Sequence, residues 1–536
     1  MKNRASVVAA IAALLALCLT PLGWSSAESE AAAEETVTIH MFMGNSGVPH
    51  PAEVDPSSNW AIDVVEQLAN VDLVLEVPNY QDFATKINLL LASGNLPDIV
   101  HGWQKADLEN AADAGAFIDL GPYYDNSEIM QSRVSQLAFD LAATPNGLHF
   151  AMPMVMSARE PGFGNLVRYD LLEEYNGGEF PGTVDGYVDF LRWVRDTYED
   201  STPLSSRLAW GGRLFATGDT LFLWYGVPPY GTRIQDGRVH HNITLPAMKE
   251  ALKTWRQVFE EGILDPEFAT SDTAAWVQKR AERYVSMFSN ATDQVIPGYD
   301  NMLNAGQAWV YTPPLDEYPE ALTDPRYMAD LSINYGVDIF PISSHRTGIT
   351  SASKHPDRAW RVLEAFASDE LWDVISWGRE GKEYTVQDGA RMATDRLYFR
   401  DLDDPDSHYW TLHLGVISGF WPTQVKYAVQ EGRHPMEWQR AYDSAQWLIE
   451  KDREVGLSYM PFVPTDPEVS KKAGEVNPFI SAAIAKAISG QITLDQFDEE
   501  VAKFKEEFGF IYDYQTRYVQ ENRDDLRAKN VKMVDW

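Results

Sequence analysis

A strand, helix, strand, helix, strand pattern over residues 36 to 103 constrains this chain most. Thr36 to Phe42 (TVTIHMF) reads as a first strand, and Ser57 to Ala69 as a helix with Trp60, Val64, Val65 and Leu68 on one face. Asp72 to Val77 is a second strand. Asn79 is placed to cap a further helix, with Asp82 three residues on as its capping-box partner, and Phe83, Ile87, Leu90 and Leu91 form the apolar stripe. In LLLASGNLPDIVHGW (89 to 103), Gly94 suits the left-handed residue that ends a helix and Pro97 prevents continuation. Ile99-Val100 is then a short buried strand. Such alternation gives parallel strands with helices on the sheet faces. Ligands of such sheets gather beyond the carboxyl ends of the strands, where Asn45, Tyr80 and Trp103 fall.

The first 27 residues belong to a different class of segment. Lys2 and Arg4 precede an apolar run from Ala5 to Leu19, and Ser25-Ser26-Ala27 comes before a sharp turn to acidic residues at Glu28, the layout of a secretory signal peptide. That run is short for a membrane span. The single cysteine, Cys18, stands where a lipoprotein signal would carry its lipid, although Leu17 is large for the position before it. If cleavage follows Ala27, no disulfide stabilises the remainder.

The formal net charge is −35, and removing Lys2 and Arg4 makes it more negative still. A surface of that sign repels nucleic acid and anionic lipid. About 500 residues exceed a single core, so two or more lobes are expected. The 17 Trp and 24 Tyr are an excess. Most aromatics serve cores, yet indole and phenol rings also stack on the apolar faces of sugars.

Further along, GLHFAMPM (147 to 154) reads as a strand, NLVRYDLLEEYN (165 to 176) as a strand leading into a helix, and Pro181 to Tyr198 as a helix burying Val184, Tyr187, Phe190, Leu191 and Val194. Asp236-Gly237 centres a hairpin over 233 to 241. Leu245 to Glu261 is a helix closed by Gly262. Thr493 and Gln496 form a capping box for a helix lined by Phe497, Val501, Phe504 and Phe508 and ended by Gly509.

Several of these segments together resemble one family, the extracellular solute-binding proteins of ABC-type sugar importers (family 1), in a large subgroup found in Gram-positive bacteria. The resemblance is carried by LLLASGNLPDIV, GLHFAMPM, NLVRYDLLEEYNGGEFPGTVDGYVDFL, HHNITLPAMKEALKTWRQVFEEGILDPEF, KHPDRAWRVLEAF (354 to 366), WGREGKEYTVQDG (377 to 389) and the helix from Thr493 to Gly509. It implies an α/β fold: a two-lobe periplasmic-binding-protein-like clamp (type II), each lobe a mainly parallel sheet with flanking helices, and a helix-rich C-terminal part. The expected N-terminal lobe is 36–160 plus about 305–353, and the C-terminal lobe 161–304 plus about 354–536. The implied protein is a monomer at the extracellular face of the membrane, tethered through Cys18 if that residue is lipidated. It closes on a carbohydrate and delivers it to a membrane permease, with no cofactor.

Two other functions remain open. A secreted glycoside hydrolase needs two facing carboxyl groups, and 79 acidic residues single out no pair. A peptide or small-solute receptor fits the same clamp. Metal and nucleophile motifs are lacking: there is no HExxH or GxSxG, His240 and His241 point to opposite faces of a strand, and RDLDDPDSHYW (400 to 410) lacks the calcium-loop glycine. In a clamp, ligand contacts are aromatics on strand-end loops beside small or polar residues. That criterion selects Asn45, Trp103, Trp210, Trp224, Tyr225, Trp377, Phe420 and Trp421, with Asp82, Arg213 and Asp293 as polar partners for hydroxyls. Trp60, Trp193, Trp255 and Trp360 lie on helical faces and read as core, and Asp98 reads as fixing the loop after Gly94.

Overall fold

The computed structural model describes residues 34–45, 53–79, 82–155, 164–199, 201–208, 212–215, 220–271, 307, 309–319, 342–387, 389–394 and 457–532, with single positions and short pieces between 275 and 289 and between 396 and 417. Its first sheet has the strand order Val71–Glu76, Val37–Phe42, Ile99–Gly102, Arg346–Ile349, Met152–Pro153. Strands β1 (Val37–Phe42), β2 (Val71–Glu76) and β3 (Ile99–Gly102) are parallel, with Val37 opposite Val71 and Met41 opposite Ile99. Strict alternation in β2 turns Val71, Leu73 and Leu75 inward and Asp72, Val74 and Glu76 outward. Strand β10 (Arg346–Ile349) runs antiparallel between β3 and the short β4 (Met152–Pro153), because the chain re-enters this sheet from the opposite direction after leaving it. The expected 147–154 strand is reduced to two residues, Met152 and Pro153, and Pro153 contributes no ladder N–H.

The helix Trp60–Ala69 starts at Asn59, whose Oδ1 accepts the Ala61 N–H at 2.9 Å. That start sets the phase: Ala61, Ile62, Val65 and Ala69 are buried, whereas Leu68, expected inside, is 44% exposed. Asn79 does not cap the following helix. It begins at Phe83 beside Asp82, and the Asn79 carbonyl accepts the Asp82 N–H at 3.0 Å. Gly94 ends that helix at φ 68°, and Asp98 ties the loop to its neighbours, accepting from the His40 N–H at 2.9 Å and the Ser353 hydroxyl at 2.6 Å.

A second core is built on β5 (Gly164–Arg168), flanked by β8 (Ser286–Ser289) and β9 (Trp309–Tyr311), both antiparallel to it. The mainly parallel arrangement therefore describes β1 to β3 and not this sheet. The helix Val184–Thr197 buries the five side chains that its spacing predicts, and the helix Pro246–Glu260 adds Met248, Leu252 and Trp255. Two segments pack elsewhere than the expected lobe boundaries would have them. The helix Pro356–Phe366 contributes Trp360, Leu363 and Phe366 to the first core, while β9 pairs in the second sheet.

The capping box at Thr493 forms, but its helix runs from Leu494 to Glu521, straight through Gly509. A mid-helix glycine costs about 1 kcal/mol, and burial of Phe504, Phe508 and Ile511 outweighs it. No helix among the described residues is long and apolar enough to cross a membrane.

The Asp236-Gly237 hairpin of β6 (Thr232–Gln235) and β7 (Arg238–His241) forms with both turn residues at positive φ, 52° and 70°, and it delivers His241 into the second core. This imidazole lies between Phe504 and Tyr512, accepts the Ile243 N–H at 3.2 Å, and is held down to about pKa 3 by burial and by the charge of Arg213. Folding keeps it neutral, so its contribution is intact above the unfolded pKa near 6.5 and is lost as pH falls from there toward 3. Stability should drop by about 2 kcal/mol between pH 7 and pH 5 through this group alone. Denaturant titrations at both pH values should show that difference shrinking by that amount in His241→Gln; an unaltered difference would contradict the assignment.

Candidate functional site

The carboxyl ends of β1 and β3 and the amino end of β10 meet at one edge of the first sheet. There the Gly44 N–H donates to His101 Nδ1 at 3.2 Å, and His101 Nε2 lies 3.0 Å from His345 Nδ1. An accepting Nδ1 requires the His101 proton on Nε2, which donates to His345 Nδ1, so neutral His345 carries its own proton on Nε2. His101 is fully buried; His345 is half-buried.

Trp103 completes this assembly. Its indole stacks on Phe83 with centroids 3.9 Å apart at 14°, and it tilts toward His345 at 5.2 Å. Gly44 makes the seat possible: a Cβ at that position would lie 2.3 Å from the Trp103 ring. The result is a half-buried indole whose tilt is fixed by a phenyl ring and by bare backbone. Gly44→Ala should therefore push the indole off its seat and weaken ligand binding about tenfold, with a small loss of stability. Comparing dissociation constants with melting temperatures checks this, and unaltered affinity would contradict it.

Arg346, next to His345, is 3% exposed. Its Nη1 donates to the carbonyls of Ser343 and His345 at 2.7 and 2.9 Å. Burial pushes this guanidinium down to about pKa 10, and the charge of Glu109 opposes that shift. It remains a cation at neutral pH.

Among the residues that the sequence singles out, Asn45 and Trp103 come to this edge. Asn45 is buried and bridges to Leu412, and Asp82 stands exposed beside Phe83. Arg213 belongs to the second core, its guanidinium 5.4 Å from the Tyr230 ring, whose hydroxyl is 2.7 Å from Ser481 Oγ. Trp224 is a correction: the helix Thr220–Trp224 is buried at every position, and the indole meets Tyr187 edge-on at 4.7 Å inside the core. Tyr225 is half-buried with its hydroxyl 2.7 Å from Thr254, and burial raises its pKa. Trp377 meets Tyr384 edge-on at 5.7 Å, beside the hairpin of Tyr384–Gln387 and Ala390–Ala393. Trp210, Asp293, Phe420, Trp421, Tyr80, the acidic turn at 400–410 and Cys18 with the leader lie outside the described residues.

Sequence reading missed Gly44, Phe83 and the two histidines. Phe83 reads equally well as one member of a helical stripe, and His345 is 244 residues from its partner. His101 carries a usable signal, a polar residue in a strand otherwise made of buried types.

A family model for bacterial extracellular solute-binding proteins matches residues 58–371. The chain is 21% identical to "Lipoprotein LipO" of Bacillus subtilis, over 90% of this chain and 92% of that one. It is 21% identical to the "Polygalacturonan/rhamnogalacturonan-binding protein YtcQ" of the same species, over 87% and 89%. The solved structure of the Streptococcus pneumoniae ABC-transporter substrate-binding protein FusA in complex with kestose is similar in fold, with a TM-score of 0.63 at 17% identity over 91% of this chain and all of that one.

Proposed function

The chain belongs to the bacterial extracellular solute-binding proteins, and from that premise we propose that it is the substrate-binding component of an ABC importer for an oligosaccharide. In this reading the sugar lodges between two lobes, hinge closure buries it, and a membrane permease receives it unchanged. Binding then selects one arrangement of the lobes over another, with no bond made or broken.

The observation that carries the reading is the seated indole at the strand ends of the first sheet. Trp103 is oriented by Phe83 and Gly44 before any ligand arrives, so little ordering of the ring opposes stacking on the apolar face of a pyranose or furanose. The histidine pair beside it offers an imidazole nitrogen at His345, suited to hydrogen bonds with hydroxyl groups. Relatives named for a fructooligosaccharide transporter and for polygalacturonan/rhamnogalacturonan binding support a carbohydrate ligand. The strongly negative charge favours a neutral oligosaccharide over a polyuronate.

A glycan array with neutral and uronate oligosaccharides tests this directly. Saturable capture of neutral chains is the expected result. Silence across the array, together with capture of peptides, would overturn it in favour of a peptide receptor on the same clamp.

A further inference from the structure

We infer that the hydrogen bond from the Thr465 hydroxyl to Glu109 is a latch between the two cores, biasing the lobes toward the arrangement described above. The inference rests on the two-lobe reading and not on the identity of the sugar.

Glu109 stands on the helix Lys105–Asp113, whose Leu108 and Ala112 pack under the first sheet, and it is only 4% exposed. Thr465 belongs to the other side. Its neighbour Pro464 accepts a hydrogen bond from the Tyr514 hydroxyl at 3.1 Å, and Asp466 caps the helix Pro467–Ile488 through the N–H groups of Glu468 and Val469 at 2.9 and 3.0 Å. Between these two anchored elements the Thr465 hydroxyl donates to Glu109 Oε2 at 2.6 Å. Glu109 Oε1 faces Lys105 Nζ at 3.6 Å. Buried Arg346 lies within the field of the same carboxylate and fixes the backbone of His345, so the latch adjoins the Trp103 assembly.

Its directionality sets this bond apart from an apolar contact between the cores among the described residues. Leu137 and Leu141 pack on the cluster of Tyr459, Phe462, Val519 and Leu526. Apolar contacts of that kind tolerate small shifts and rotations. A hydrogen bond does not: moving the lobes by about 1 Å takes it beyond useful length. The charge on Glu109 strengthens it further, since a bond to a buried carboxylate is stronger than a neutral one and leaving that carboxylate without its donor is unfavourable.

Cys18 is the only cysteine in the sequence, so a Cys18→Ser background allows one spin label on each core, at Leu89→Cys (66% exposed) and at Lys253→Cys (side chain 55% exposed). Pulsed electron–electron distance measurements on the sugar-free protein should give one main distance with Thr465 intact. In Thr465→Val a second population should grow, the equilibrium constant between arrangements moving about tenfold. Thr465→Ser keeps the donor and should retain the single distance, and adding Glu109→Gln to Thr465→Val should change little more, as expected of coupled partners. An unaltered distribution in Thr465→Val, or equal shifts in the Val and Ser variants, would overturn the latch. Because no sugar is present, that failure is separate from any failure of the carbohydrate reading.

Discussion

Trp103→Ala should weaken binding of the cognate oligosaccharide by about 30-fold or more, the loss typical of a buried aromatic anchor. The fold should survive. The indole is half-buried and its main intramolecular partner is Phe83, so the stability lost is about that of one aromatic pair, roughly 0.5–1.5 kcal/mol, plus part of its burial. Isothermal titration calorimetry on the variant, with denaturant unfolding of the same preparation, separates the two effects. Unaltered affinity would remove Trp103 from the site.

Trp224→Ala should do the reverse. This indole is 1% exposed, enclosed by Tyr187 and Phe180 and by the rest of the second core, and truncation leaves a cavity that close packing cannot fill. A loss of about 3–5 kcal/mol of stability is expected, with ligand affinity within a few-fold of normal at temperatures where the variant remains folded. A variant of ordinary stability that had lost its ligand would instead return Trp224 to the site.

These two tryptophans show how far the sequence can be read. Trp103 directly follows Gly102 and the pair Trp224-Tyr225 directly precedes Gly226, so local composition alone ranks them alike. What separates them is tertiary: Trp103 follows a strand whose neighbours terminate at the same edge, whereas Trp224 ends a five-residue helix that is buried at every position, its indole against Tyr187 and Phe180. Local patterns carried much further where one rule dominated. Gly94, the Asp236-Gly237 turn, the Thr493 capping box and the buried stripe of Val184 to Val194 all follow from short-range chemistry. Short-range rules failed where a distant partner decided the outcome. Gly509 reads as a helix end until the buried Phe504 and Phe508 before it and Ile511 after it are counted, and the direction of β10 depends on where the chain has been for the preceding two hundred residues.

The candidate site was legible only in part for the same reason. Asn45 and Trp103 lie at strand ends that the βαβ pattern predicts, but the seat of the indole is made by Gly44 and Phe83, and its neighbour His345 comes from a strand far along the chain. A stacking platform is a property of several backbone segments at once, and no single segment announces it.

The central claim is capture without chemistry, and titration calorimetry against neutral oligosaccharides, followed by mass analysis of the recovered sugar, tests it most directly. The account predicts saturable binding of one oligosaccharide per chain, a gain of about 2.7 kcal/mol in unfolding stability at 100 times the dissociation constant, and a sugar recovered at its original mass. Shortened sugar in the recovered fraction would contradict it.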